Sequence, residues 1–103
     1  MTASASNPID PLVDPARATE LDETRTMLLD LARSSGTHSL LIHVQSVRYA
    51  EELLFVHEAL AETHTATGKS QLAQEENSLA EMARQLSLHH LDMLDRSLFR
   101  TKP

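Results

Sequence analysis

The clearest hydrophobic pattern in this chain runs from Ser70 to Arg100, without a Gly or Pro. Leu72, Leu79, Leu86 and Met93 recur at intervals of seven, and Met82, Ala83 and His90 fill the same face. Apolar residues three, four and seven apart line up along one side of an α-helix, so the spacing predicts a long amphipathic helix over 70–100. After Leu86 a second stripe begins: Leu88, Leu91, Leu94 and Leu98, with Phe99 beside it. One stripe suffices to seat a helix on its own fold. A second one calls for further cover, which makes Leu88, Leu91, Leu94, Leu98 and Phe99 the candidate surface for a protein partner.

Two shorter helices are predicted upstream. Asp14-Pro15 is a strong start, because Asp offers a capping oxygen and Pro fits a first turn whose N–H is spare. Leu21, Thr24, Leu28, Leu31 and Ala32 then share a face, and Ser34-Ser35-Gly36 ends a helix over about 15–34. His38 to Val44 is short and partly β-branched, and is expected to be an extended connector rather than the first turns of the next helix. Ser46 is expected to cap a helix over about 46–65, with Ala50, Leu53, Leu54, His57, Leu60, Ala61 and His64 on its inner face. The short link Thr67-Gly68-Lys69-Ser70 forces that helix and the last one into an antiparallel hairpin.

Residues 1–14, interrupted by Pro8 and Pro11 and running up to Pro15, are expected to form a flexible arm ahead of a single helical domain over 15–103. A final helix of roughly 45 Å, at about 1.5 Å per residue, is too long for three helices to close one compact core. The expectation is a dimeric helix bundle built from two hairpins, with Leu53, Leu60, Leu72, Leu79, Met82 and Leu86 in the seam between copies.

Composition narrows the class. Two Gly, one Tyr, two Phe and no Trp in 103 residues argue against a sandwich or barrel and for an all-α fold. The formal net charge of −6 is concentrated between Glu51 and Glu81, where seven glutamates face a single lysine, Lys69. Such a surface opposes direct binding to nucleic acid or an anionic membrane. There is no Cys, no apolar run near the ~20 residues of a membrane span, and no signal-peptide pattern at the N-terminus. The expected location is the cytoplasm.

Six histidines raise a metal reading. A ferritin-like di-iron site uses Glu-x-x-His, but Leu54, Ala61, Leu86 and Ser87 stand three residues before His57, His64, His89 and His90. The His-Glu-x-x-His pattern also fails, since His57-Glu58 is followed by Ala61 at the required spacing. Thr-Gly-Lys-Ser at 67–70 resembles the end of a phosphate-binding loop, yet Thr63 occupies the place of the first Gly. No catalytic, metal or cofactor set is therefore assigned, and the chain is not expected to be an enzyme. His57 and His64 lie on the apolar side of their helix, where burial would make them sensitive to acid.

Leu40-Leu41-Ile42-His43-Val44, Ala50-Glu51-Glu52-Leu53-Leu54, Glu58-Ala59-Leu60-Ala61 and Leu94-Asp95-Arg96-Ser97-Leu98 carry a resemblance to a family of short helical bacterial proteins of unassigned function. In size, acidity and two-long-helix layout the chain is also similar to small antiactivators of LuxR-type quorum-sensing regulators, of the QslA or TraM type. That resemblance implies a helical homodimer that binds a transcriptional regulator and blocks its dimerisation or DNA binding. Two other readings stay open: a metal-binding, ferritin-like helical protein, and a secretion-chaperone-like helical adaptor.

Overall fold

The computed structural model describes residues 13–100 and holds three helices, with no strand among them: α1 (Pro15–Ser35), α2 (His38–Ala66) and α3 (Ser70–Phe99). The start of α1 follows its local chemistry. A side-chain oxygen of Asp14 accepts from the Arg17 N–H at 2.9 Å, and Pro15 sits in the first turn. Its end does too: Gly36 takes the left-handed conformation at φ 67° and donates its N–H to the Arg33 carbonyl. Gly68, at φ 77°, turns the chain from α2 into α3, with the Lys69 N–H returning to the His64 carbonyl at 2.8 Å.

The segment 38–45 departs from expectation. It is helical, so α2 begins at His38 rather than Ser46, and Ser46 lies inside the helix with its hydroxyl donating to the Ile42 carbonyl. The reason is tertiary. As a helix, this segment sets Leu40, Val44 and Val47 on one side, and all three are buried in the main apolar core. Burying such side chains is worth roughly 1.5–3 kcal/mol each, far more than the tenths of a kcal/mol by which β-branched residues disfavour helix. Ser70, likewise, is the first residue of α3 rather than a cap, and Lys69 takes the capping position.

α2 and α3 form an antiparallel hairpin, and α1 lies across one of its faces. The core sits where α1 lies: Leu21, Leu28, Leu29 and Ala32 meet Leu40, Val44, Val47, Leu88, Leu91 and Leu94. Ion pairs rivet the edges of that contact. Arg17 reaches both Asp92 and Asp95, Arg25 holds Glu51, and Arg84 meets Asp22 at 2.9 Å. The flexible arm expected over 1–14 falls, up to residue 12, outside the described residues. Val13 and Asp14 belong to the fold: Val13 is buried, and its N–H donates to Oε1 of Gln85 at 3.3 Å. No described helix is long and apolar enough to cross a membrane.

Candidate functional site

The later stripe of α3 does not hold the role read from the sequence. Leu88, Leu91 and Leu94 are 1, 1 and 0 % exposed and Leu98 packs against the same cluster. The cover they require comes from α1 within the chain, so they are interior residues and not a surface for a partner. Only Phe99 of that set remains exposed. The physical reason is rotational: past Leu86 the leucines move round α3 onto the side where α1 lies.

The other stripe is the uncovered one. Leu72, Leu79, Met82 and Leu86 stand 37–50 % exposed, and Leu60 on α2 is at 39 %. Leu53 is half-buried. Helical rotation from the buried contact line places these residues on the hairpin face opposite α1. Sequence reasoning missed their neighbours on α2. Ile42, Tyr49 and Val56 are exposed and, with Leu53 and Leu60, run along that same face at intervals of seven, four, three and four. The spacing is that of a coiled-coil seam, and it was legible, but it crosses the segment expected to be extended.

Between the two stripes the hairpin is sewn by small and polar residues. Ala50 and Ala83 are buried near its middle. One heptad towards the open end, Nδ1 of His43 and Nδ1 of His90 lie 2.9 Å apart. One heptad towards the Gly68 turn, Nδ1 of His57 is 2.6 Å from Oε1 of Glu76. His64, named with His57 in the acid-sensitivity reading, is half-buried further along.

The electrostatics separate these features. Hydrogen bonding to Asp95 holds Arg17 well above its ordinary value against the opposing effect of burial. Burial opposes ionisation of Asp92, but hydrogen bonds from Arg17 and Arg96 outweigh it and keep this carboxyl below the usual range. Burial pushes both His43 and His90 down, reinforced by His89 and, for His90, by His43. Among the described residues no three His, Asp or Glu side chains converge in a way that could hold a metal ion.

Away from the apolar face, a shallow groove near the Gly68 turn is lined by Glu58, Ala61, Glu62, Thr65, Ala66 and Asn77. Two of these six lining residues are glutamates. No family model matches the chain, and neither a curated protein nor a solved structure does so.

Proposed function

We propose that this chain is a small cytoplasmic protein-binding module that dimerises through the hairpin face opposite α1 and inhibits a protein partner, with a LuxR-type quorum-sensing regulator the leading candidate. One observation carries the reading: both helices present an apolar stripe, on the same side, that no part of the described chain covers. A second copy is its natural occupant. Heptad-spaced stripes on an antiparallel pair are what a four-helix bundle buries, and a two-fold axis lying in that face, parallel to the helices, would set α2 of one copy against α3 of the other. The seam residues would then be Leu53, Leu60, Leu72, Leu79, Met82 and Leu86, joined by Ile42, Tyr49 and Val56.

The inhibitory part rests on charge and on architectural resemblance. A DNA-binding regulator must carry a basic surface, and the acidic face around Glu58 and Glu62 is complementary to one. Occupying that surface would block DNA without any chemistry. The same charge disfavours nucleic acid as a direct ligand of this chain.

Light scattering tests the dimer. The chain is expected at about twice its 11.4 kDa mass at micromolar concentration, and Leu79→Glu is expected to return it to a monomer with its helical circular dichroism intact. A wild-type monomer would overturn the dimer. The inhibitory reading is tested separately, by adding the protein to a purified LuxR-type regulator bound to its operator. Release of the DNA supports it, and unchanged DNA binding with no complex formed overturns it.

A further inference from the structure

A close contact between two histidines joins the start of α2 to the later part of α3. His43 and His90 meet through Nδ1 at 2.9 Å, with ring centroids 5.1 Å apart and planes tilted by 44°. The His89 ring stands nearly edge-on to His90 at 5.2 Å. Two nitrogens at this distance can share a single proton: one donates its N–H and the other accepts it on a lone pair. Once both rings are charged, two N–H groups point at each other and the bond becomes a repulsion.

No carboxylate among the described residues is hydrogen-bonded or ion-paired to either ring. On α2 the nearest titratable neighbours are His38 and Arg48, five residues away on either side. α3 contributes His89, which is a further imidazole, while its Asp92 and Asp95 are engaged by Arg17. α1 places no ion-pairing group on either ring. The contrast with His57 is direct, because that imidazole faces Glu76 and its ion pair forms when it is protonated.

We propose that His43 and His90 form a proton-sensitive latch, fastening the start of α2 to α3 at neutral pH and releasing it in mild acid. The latch sits beside the apolar face, so its release loosens the surface on which the second copy docks. That last consequence rests on the dimer proposed above; the latch itself does not. The sign follows from linkage. Both rings are held below the ordinary value near 6.5, so the unfolded chain binds more protons than the folded one. The contribution is complete above that pH and is lost as pH falls through the folded-state values.

The decisive experiment is an NMR titration of the histidine ring carbons in the full-length wild-type protein between pH 8 and pH 5. The expected result is coupled behaviour: His43 and His90 take up the second proton at a lower pH than a free histidine, with loss of the backbone shifts of the native α2–α3 contact. Independent titration of the two rings near the free-histidine value, with α2 undisturbed, would overturn the latch. A second measurement uses His43→Gln with His90→Gln. The melting temperature of wild type should fall between pH 7.5 and pH 5.5, and that of the double variant should fall markedly less. An equal fall in both would overturn the proposal. Repeating the titration on the Leu79→Glu protein separates the two readings: the latch predicts the same coupled histidines there, whatever light scattering reports for the dimer.

Discussion

The half of the hairpin that α1 covers is held together by leucines, and the half beyond it by alanines. Under α1 the fully buried large side chains are Leu21, Leu28, Val47, Leu88, Leu91 and Leu94. Beyond it, towards the Gly68 turn, the buried apolar residues are Ala61, Ala73 and Ala80, while Leu60, Leu72 and Leu79 remain about 40 % exposed. Two helices share only one line of contact. A large side chain on that line forces the axes apart, and one beside it stays wet unless a third element walls it in. α1 is that wall for one half, and the other half has none inside the described chain. Composition along α2 and α3 therefore follows the presence of α1.

This contrast predicts different answers to the same substitution. Leu91→Ala removes a side chain enclosed by α1 and should cost about 2–5 kcal/mol in urea unfolding. Leu79→Ala, in the open half, should cost under about 1 kcal/mol when measured dilute enough to be monomeric, since its side chain is already half in water. Equal losses would erase the distinction between the halves. The alanine seam can be probed in the opposite direction. Ala80→Leu should destabilise by about 1–3 kcal/mol, because the added volume lies at a buried position of α3. If it is neutral, the seam is looser than its burial indicates.

The smallest effect concerns how α1 is set in place. Asp14→Ala removes the cap on the first turn and should cost about 1 kcal/mol. It should also fray the segment that carries Arg17 to Asp92 and Asp95. Hydrogen exchange would register this as faster exchange over the first turns of α1, with the Gly68 end of the hairpin unchanged. Protection lost evenly across all three helices would mean that α1 is not a separable cover.

Much of the fold was legible because it rests on local chemistry. Asp14-Pro15 and Gly36 bound α1 through a cap oxygen, a fixed φ and a left-handed glycine, all of which act within a few residues. Gly68 and the uninterrupted run after Ser70 announce the hairpin for the same reason. Residues 38–45 run against expectation because Ile42 and Val44 favour extended backbone locally, and the burial of Leu40 and Val44 that overrides this preference involves α1 and α3.

The candidate site was legible in its parts and not in its sides. Both stripes of α3 can be found by counting, and either could face inward. Which one is interior depends on where α1 crosses the hairpin, and Arg17, Arg25 and Asp22 fix that crossing through partners as far as 78 residues away. The meeting of His43 and His90, 47 residues apart, depends in the same way on the register of α2 against α3. Periodicity states that a face exists, because it is a property of one helix. Whether that face is buried or wet is a property of three helices together, and follows from which arrangement removes the most apolar surface from water.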